Sequence, residues 1–360
     1  MKKIMVLLII FFMGIGTVSA STSSASSYVL MDMTTGRVLK SKNMNSSKLI
    51  ASITKIMTCL LAVESGKLDD YVMVDDVIEE AYGSGIYIKV GEKIKLRDLL
   101  YGLMLRSGND AALMVSKYVG GSVEEFVKMM NEKALEIGMK NTVFVNPSGL
   151  DNTDSGNYSS SYDMALLTKY AMEYEEYRKI VRTKEYVVKT NMNTYKWINK
   201  NKLLRNYDYI TGGKTGYTEK AHRTLVSTAS YEDMDLVVVT LNDSDDWNTH
   251  RELYEYAFDN YVAYKVLYKK KINIIGDTYY NGELYTSKDV YIPLLKEETG
   301  SLISIITLDK IKDYKTGDKV GVDKIYYKDK LLYETDIYIR KEKKVKIKKK
   351  WWEKLGIFGR

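Results

Sequence analysis

Cysteine and histidine are scarce in this sequence. Cys59 is its only cysteine, so no intramolecular disulfide can form, and its place on an apolar helix face predicts a buried thiol. The two histidines, His222 and His250, are far apart in the chain, and no Cys/His cluster has the spacing of a zinc site. We therefore expect no metal and no cofactor. The same scarcity favours a mechanism built on lysine rather than on a Ser–His–Asp triad.

The body of the chain also lacks an excess of positive charge. The net charge of +7 arises from residues 340–360, where ten Lys or Arg and two Glu give +8 and leave about −1 for the rest. A near-neutral body argues against a nucleic-acid partner. The basic tail predicts attachment of residues 341–360 to an anionic membrane surface. Four of its apolar residues fall on one helical face: Trp351, Trp352, Leu355 and Phe358.

The apolar run at residues 4–16 is too short for a comfortable membrane span. It follows Met1-Lys2-Lys3 and ends at Thr17-Val18-Ser19-Ala20. A positive start, a short apolar stretch and a small-x-small end are typical of a secretory signal peptide. We predict a signal peptide at residues 1–20, a flexible linker at residues 21–27, and a mature protein that works at the outer face of the cytoplasmic membrane.

Hydrophobic periodicity divides the rest of the chain into two parts. Residues 28–265 combine helical patterns with strands that come mostly late, whereas residues 266–340 show only short β-branched and aromatic runs between turns. The sequence therefore predicts a helical block packed on a sheet, followed by a small β-sandwich-like domain. The predicted elements include a hairpin at 28–40, helices at 51–64, 96–105, 123–137, 162–174 and 247–264, and strands at 185–189, 212–218, 225–229 and 236–241.

Ser52 and Lys55 stand at the start of the helix predicted at residues 51–64. Residues three apart are neighbours on a helix, about 5–6 Å apart at Cβ. One interpretation is structural, with Ser52 as the N-cap and Lys55 as a solvated residue of the first turn. A capping box would want Glu or Gln at that place, however, and Lys opposes the helix dipole. The other interpretation is a serine nucleophile whose proton acceptor is a lysine with a pKa lowered by burial.

Two further motifs favour the catalytic interpretation. Ser107-Gly108-Asn109 lies between predicted helices, and Lys214-Thr215-Gly216 lies at a predicted strand. With Ser52-x-x-Lys55 they form, in order, the S-x-x-K, S-D-N and K-T-G set of serine β-lactamases and penicillin-binding proteins, Ser-Gly-Asn being a variant of the second motif. Second copies at Ser155-Gly156-Asn157 and Lys315-Thr316-Gly317 are interpreted as turns, because order, spacing and flanking residues select the first copies.

The chain resembles the low-molecular-weight penicillin-binding D-alanyl-D-alanine carboxypeptidases. The stretches that carry the resemblance are ASITKIMT, LLYGLMLRSGNDAA, FVNPSGLDN, SYDMALLTKYA, NKNKLL and GGKTGYTEKA. It implies an α+β fold class: a β-lactamase/transpeptidase-like domain, with an antiparallel sheet, packed helices and a helical subdomain, followed by a small all-β domain. It also implies a peptidoglycan stem peptide as the substrate and β-lactam antibiotics as inhibitors.

The resemblance implies a role for each motif residue. Ser52 would attack the carbonyl between two D-alanines, Lys55 would take its proton, and Ser107 would relay that proton to the leaving amine. Lys214 would be the cation that keeps Lys55 neutral. The residues implied in binding are Asn109 for the peptide amide, Thr215 for the terminal carboxylate, Lys214, Gly216 and Lys200, and the backbone N–H groups of Ser52 and Tyr217 for the oxyanion hole.

Departures from the family pattern and three alternatives stay open. Lys200 stands where many relatives have Arg, which removes the bidentate fork for a carboxylate. His222 stands where relatives often have Gly and is predicted to be solvated strand surface, and Asn157 replaces a His of some relatives. The alternatives are a DD-endopeptidase or transpeptidase of the same fold, a serine β-lactamase, and a non-catalytic penicillin sensor. The β-lactamase is disfavoured because no Glu-x-x-Leu-Asn lies between Asn109 and Lys214.

Overall fold

The computed structural model describes residues 23–152, 155–269, 271–272, 279–280 and 282–340, so the predicted signal peptide and basic tail lie outside the described residues. The α-helices are α1 (Lys55–Glu64), α2 (Leu96–Tyr101), α3 (Asn109–Gly120), α4 (Val123–Ile137), α5 (Ser161–Ala171), α6 (Glu175–Arg182), α7 (Leu203–Asn206) and α8 (Asp246–Asn260). The strands of the larger part are β1 (Ser27–Asp32), β2 (Val38–Lys42), β3 (Lys48–Leu49), β4 (Tyr71–Met73), β5 (Lys93–Lys95), β6 (Tyr158–Ser159), β7 (Glu185–Lys189), β8 (Thr194–Ile198), β9 (Ile210–Thr218), β10 (His222–Tyr231) and β11 (Met234–Leu241). The strands of the smaller part are β12 (Tyr261–Leu267), β13 (Lys271–Ile272), β14 (Glu283–Tyr285), β15 (Val290–Leu295), β16 (Leu302–Leu308), β17 (Lys319–Tyr327) and β18 (Lys330–Arg340).

A five-stranded antiparallel sheet forms the centre of the larger part, with strand order β2-β1-β11-β10-β9. Both faces of the sheet are covered, which explains why residues 236–239 of β11 are apolar without alternation. Val237 and Val239 pack on one face with the helical block, whereas Leu236 and Val238 pack on the other face with α8. Strand β9 lies at an edge of this sheet and carries the predicted K-T-G motif.

The helical block confirms most of the predicted helices. The predicted bounds of α4 are observed, and the helix predicted at residues 96–105 is α2 continued by a π-helical segment, Gly102–Arg106. The helix predicted at residues 51–64 begins as a 3-10 turn, Ala51–Thr54, before it continues as α1. Cys59 is fully buried in α1, as predicted, and burial raises the pKa of its thiol.

Strands dominate the described residues after α8. The five-stranded sheet β13-β14-β18-β17-β16 and the pair β12-β15 share a core around Ile292, Leu294 and Ile325. The helix predicted at residues 247–264 is wrong at its C-terminal end, because α8 ends at Asn260 and the chain continues directly as β12. The apolar residues there serve a strand that pairs with β15, so strand structure begins before residue 266.

The first described residues pack against the sheet and α8. Ser24 Oγ donates to Asp243, the Ser26 amide donates to the Asn242 carbonyl at 3.0 Å, and Ser27 already belongs to β1. The flexible linker predicted at residues 21–27 is therefore wrong from residue 23 onward, because its serines find hydrogen-bond partners on the body. No helix in the described part of the chain has the length and apolar character of a membrane span.

Candidate active site

Ser52 lies in the 3-10 turn that leads into α1. It is not an N-cap, because that position belongs to Ile50 for the turn and to Thr54 for α1. The chain enters the turn through Ala51, whose φ is +48°. Gly149 supports the turn closely, since a Cβ on this glycine would lie 1.9 Å from the Ala51 carbonyl oxygen. The N-cap interpretation of Ser52 is therefore wrong, and Ser52 lines a cleft instead.

Lys55 is fully buried, and its Nζ has three oxygen neighbours. The Asn109 Oδ1 lies at 2.7 Å, the Ser148 carbonyl oxygen at 2.5 Å and the Ser52 Oγ at 3.1 Å. The first two are carbonyl oxygens that only accept, whereas a hydroxyl both donates and accepts. A neutral amine can therefore donate to Asn109 and Ser148 while its lone pair accepts the Ser52 hydroxyl proton, as a general base must.

Burial sets the protonation of the two lysines in this site. It lowers the pKa of Lys55 to about 7, with a second contribution from the like charge of Lys200 and an opposing one from Asp110. Burial also lowers the pKa of Lys214 well below its usual value, followed by the charges of Lys55 and Lys200. Desolvation is the largest cause for both lysines, and the two buried amines disfavour each other's charge. The expectation that Lys214 acts on Lys55 stays a prediction, and Lys200 is a further like charge near both.

Ser107 connects the helical block to the edge strand. The Lys214 Nζ in β9 donates to the Ser107 Oγ at 3.0 Å and to the Thr215 carbonyl oxygen at 2.7 Å. Ser107 follows the π-helical segment with a φ of +66°, a left-handed conformation that is uncommon for a residue other than glycine. Strained backbone of this kind is found mainly where surrounding structure fixes a functional side chain.

Asn109 begins α3, and both ends of its side-chain amide are engaged within the protein. Its Oδ1 accepts from the Lys55 Nζ, and its Nδ2 donates to the Tyr82 carbonyl oxygen at 2.6 Å. The structure therefore brings Asn109 against the lysine of the first motif. Contact with a substrate amide would require one of these bonds to be shared or exchanged, and that role stays a prediction.

A cleft of about 350 Å³ opens beside β9. A Cβ on Gly216 would lie 2.3 Å from the Thr224 Oγ1 and 3.0 Å from the Ser52 backbone nitrogen, so a glycine is needed where β9 approaches the 3-10 turn. This close approach brings Tyr217 and Ser52 to the same cleft, as an oxyanion hole of two backbone N–H groups requires. The residues lining the cleft are Ser52, Ser84, Ser107, Lys200, Thr215, Gly216, Tyr217, Arg223, Asp246 and Trp247.

Lys200 reaches the cleft from the side of the helical block. Its Nζ donates to the Ser84 Oγ at 3.3 Å, and its backbone amide donates to the Leu105 carbonyl oxygen. Burial, and then the charge of Arg106, lowers its pKa. A lysine here places a single positive charge at the mouth of the cleft, without the two-pronged geometry that an arginine would offer to a carboxylate.

Several contributors to the site were missed by the sequence analysis. The Ser148 carbonyl belongs to a stretch that carries the family resemblance, but a main-chain oxygen leaves no signal in side-chain chemistry. Ser84 lies in a loop without periodicity. Arg223, Asp246 and Trp247 form one wall of the cleft, and only the cross-strand pairing of Arg223 with Tyr217 brings the first of them there.

The two histidines and the second copies of two of the motifs lie outside this site. His222 is exposed at the start of β10, as predicted, whereas His250 is fully buried between Ser227 and Thr240. Lys315-Thr316-Gly317 forms a turn with a Gly317 φ of +97°, as interpreted. In the second Ser-Gly-Asn copy, Asn157 is buried and supports neighbouring loop backbone. Within the described residues, no cluster of His, Cys, Asp and Glu could hold a metal ion.

Comparison with known proteins agrees with this geometry. Residues 15–245 match the D-alanyl-D-alanine carboxypeptidase family. The chain is 36% identical over 288 residues to the D-alanyl-D-alanine carboxypeptidase DacF of Bacillus subtilis, covering 76% of this chain and 73% of the relative. It is 30% identical over 333 residues to DacD of Escherichia coli, covering 85% and 83%. The solved structure of penicillin binding protein 5 from Haemophilus influenzae matches with a TM-score of 0.71 at 26% identity, covering 90% of this chain and 99% of that one.

The antiparallel sheet, the helical block and the cleft residue Ser52 beside the buried Lys55 define a serine hydrolase with a transpeptidase-like fold. The chain belongs to the D-alanyl-D-alanine carboxypeptidase family. The predicted α+β fold class, with its small β domain, is confirmed. The predicted enzyme class, a serine-type D-Ala-D-Ala carboxypeptidase of the penicillin-binding proteins, is confirmed as well.

Proposed function

We propose that this chain removes the terminal D-alanine from peptidoglycan stem pentapeptides through an acyl-enzyme on Ser52. The observation that carries the proposal is the environment of Lys55. This amine is fully buried, its pKa is about 7, and its two carbonyl neighbours leave one direction, towards the Ser52 Oγ, for accepting a proton. A base with this pKa works near neutral pH without a histidine.

In acylation, the Ser52 Oγ attacks the carbonyl carbon of the penultimate D-alanine while its proton passes to Lys55. The resulting oxyanion is stabilised by the backbone N–H groups of Ser52 and Tyr217; loss of one such donor typically costs about 10²–10³ in rate. Collapse breaks the C–N bond, and the proton taken by Lys55 passes to the leaving amine through Ser107, whose hydroxyl is oriented by Lys214. This transfer returns Lys55 to its neutral form. D-Alanine leaves, and an ester on Ser52 remains.

In deacylation, a water molecule attacks the ester carbonyl, and Lys55 accepts one of its protons. The Ser52 oxygen leaves and is reprotonated, which restores the enzyme and releases the shortened peptide. In both steps, Thr215 and Lys200 hold the anionic end of the ligand, and Asn109 and Gly216 line its path. A β-lactam, which carries an acyl group and a carboxylate, enters the same cycle and stops at the ester.

Release of D-alanine from a pentapeptide tests the proposal. The wild-type enzyme should release one D-alanine per peptide, and Ser52→Ala should release none. A penicillin sensor would form the penicillin ester without releasing D-alanine from the peptide. A β-lactamase would turn penicillin over rapidly, and an endopeptidase would cleave a cross-linked stem-peptide dimer faster than the pentapeptide. Any of these three results with the wild-type enzyme would contradict the proposed activity.

We also propose where the enzyme acts and how its parts share the work. The charged start and apolar run of residues 1–20 support secretion, and the basic, tryptophan-containing residues 341–360 support attachment to the outer face of the cytoplasmic membrane. In this arrangement the catalytic domain runs from residue 28 to the end of α8 at Asn260. The β domain begins with β12, which pairs with β15, and separates the catalytic domain from the membrane.

A further inference from the structure

One wall of the cleft is explained by none of the three motifs. Arg223 in β10 is the cross-strand partner of Tyr217 in β9, next to the pairing of Thr224 with Gly216. Asp246 is the first residue of α8, and it lines the same cleft as Ser52. Directly opposed residues of antiparallel strands have Cβ atoms about 4.5–5.5 Å apart, so Arg223 lies within side-chain reach of the K-T-G strand.

Among the described residues, the guanidinium of Arg223 makes one hydrogen bond and lies beside one aromatic ring. Its Nη2 donates to the Asp246 Oδ1 at 2.5 Å, and its central carbon lies 5.4 Å from the centre of the Trp247 ring. The Nε is buried and has no hydrogen-bond partner in the described part of the chain. Arginine has five N–H donors in a rigid fork, so this contact with one carboxylate oxygen leaves most of its donors unused.

The two partners differ in their exposure. The Asp246 side chain is only 3% exposed, whereas 39% of the Arg223 side chain is exposed, and this part faces a cleft. An arginine that served only to neutralise Asp246 would gain most from a two-pronged contact with both carboxylate oxygens. Arg223 instead presents positive charge and free donors beside the residues that receive the reacting carbonyl.

The position of the substrate carboxylate follows from the reaction. The bond that is cleaved joins the last two residues of the peptide, so a free carboxylate lies one residue beyond the carbonyl held at Ser52 and Tyr217. Arg223 is the cross-strand neighbour of Tyr217 and lines the same cleft, so its guanidinium is within reach of a carboxylate bound one residue beyond the reacting carbonyl. A carboxylate is the group that a planar guanidinium recognises best, by two parallel charge-assisted hydrogen bonds.

We propose that Arg223 binds the free C-terminal carboxylate of the substrate and that Asp246 occupies the guanidinium when no substrate is present. The exchange makes Arg223 the residue that selects peptides ending in a free carboxylate over peptides in which that group is blocked or cross-linked. Thr215 and Lys200 add to the binding of the carboxylate, and the Trp247 ring lies beside the guanidinium. The inference rests on the proposed carboxypeptidase activity and deepens it.

Two peptides that differ only at their C-terminus test the proposal. One is an acylated peptide ending in D-Ala-D-Ala, and the other is the same peptide with a D-alaninamide end. For each, kcat and KM are measured from the released amine. In Arg223→Gln, the loss of a charge-assisted fork should lower kcat/KM for the free acid by about 10- to 100-fold, mostly through KM. For the amide, kcat/KM should change by less than about twofold, because its neutral end makes no ionic contact with Arg223.

The Asp246→Asn variant should change the preference between the two peptides in the opposite direction. Removing the competing carboxylate should raise the preference for the free acid over the amide, because Arg223 no longer has to leave Asp246. Arg223→Lys should recover part of the preference, as a point charge without the fork. Arg251→Gln is the matched control: it removes an α8 arginine that pairs with Glu255 outside the cleft, and it should leave both substrates unchanged.

The outcomes separate this inference from the function on which it rests. If Arg223→Gln lowers kcat/KM equally for acid and amide, the residue is structural and the inference is wrong. If Asp246→Asn lowers kcat/KM for the free acid as Arg223→Gln does, Asp246 positions Arg223, and the proposed exchange between Asp246 and the substrate carboxylate is wrong. A wild-type enzyme that releases nothing from either peptide would contradict the proposed function itself. Melting temperatures within a few degrees of wild type show that the variants are folded.

Discussion

The pKa of about 7 for Lys55 makes the rate of acylation depend on pH in a defined way. Only the neutral amine can accept the Ser52 proton, so the rate follows the neutral fraction of Lys55. That fraction is about one tenth at pH 6, one half at pH 7 and nine tenths at pH 8. Burial lowers the pKa from 10.5, and the base is therefore active near neutral pH rather than only above pH 10. We expect the rate to rise about tenfold between pH 6 and pH 8 and then to level off.

Lys200→Met tests the cause of the shift as well as its size. Lys200 is the like charge that helps to lower the pKa of Lys55, so its removal should raise that pKa and move the midpoint to higher pH. The assay is the second-order rate constant for acylation by a fluorescent penicillin, measured across the pH range. Lys200 also lines the cleft, so the rate itself should fall in this variant. The pH at the midpoint of the rate profile, and not the maximum rate, is therefore the quantity that tests the cause of the pKa shift.

Lys196→Met is a matched control, because Lys196 lies on β8 in an exposed pair with Glu185. Its midpoint should stay where the wild-type midpoint is. A wild-type midpoint near pH 10, or no change in rate between pH 6 and pH 8, would refute the assignment of Lys55 as the base. A midpoint that moves to lower pH in Lys200→Met would refute the electrostatic reasoning.

Three further predictions concern other parts of the chain. Thr215→Val should lower kcat/KM for the pentapeptide by about 10- to 100-fold, since a charge-assisted hydrogen bond is worth about 1.5–3 kcal/mol. Thr316→Val should leave turnover near wild type, and equal losses in the two variants would show that the wrong K-T-G copy was chosen. Gly149→Ala should abolish most penicillin acylation and lower the free energy of unfolding by about 1–3 kcal/mol, because the added Cβ would lie 1.9 Å from a main-chain oxygen. Gly300→Ala, whose Cβ would meet nothing within 4 Å, should change neither the acylation nor the stability. A chain truncated after Arg340 should keep full activity on a small peptide but lose binding to anionic vesicles, and high salt should release the full chain from them; undiminished vesicle binding by the truncated chain would rule out the tail as the anchor.

Much of the site could be predicted from the sequence because its chemistry is local. Ser52 and Lys55 are one helical turn apart, and the other two motifs lie at elements whose periodicity is clear. The buried face of α1 follows from its apolar spacing, and so does the burial of Cys59. Order and spacing of the motifs distinguished the K-T-G that lines the cleft from the turn at residues 315–317.

The remaining features depend on tertiary contacts that leave no periodic signal. The Ser148 carbonyl meets Lys55 only because a loop about ninety residues away folds over α1. Arg223 reaches the cleft because the register between β10 and the edge strand β9 sets it opposite Tyr217. The sequence alone does not specify that register. The end of α8 at Asn260 was missed because the apolar residues that follow it fit a helical and a strand pattern equally well.

The residue that carries the penicillin ester tests the central claim most directly. After a brief reaction with penicillin and proteolysis, mass spectrometry should find the added mass on the peptide that contains Ser52, and Ser52→Ala should carry none. Lys55→Met should leave Ser52 in place but slow formation of the same ester by several orders of magnitude, because the hydroxyl has lost its base. An ester on another residue, undiminished labelling of Ser52→Ala, or rapid labelling of Lys55→Met would contradict a serine nucleophile activated by a buried lysine.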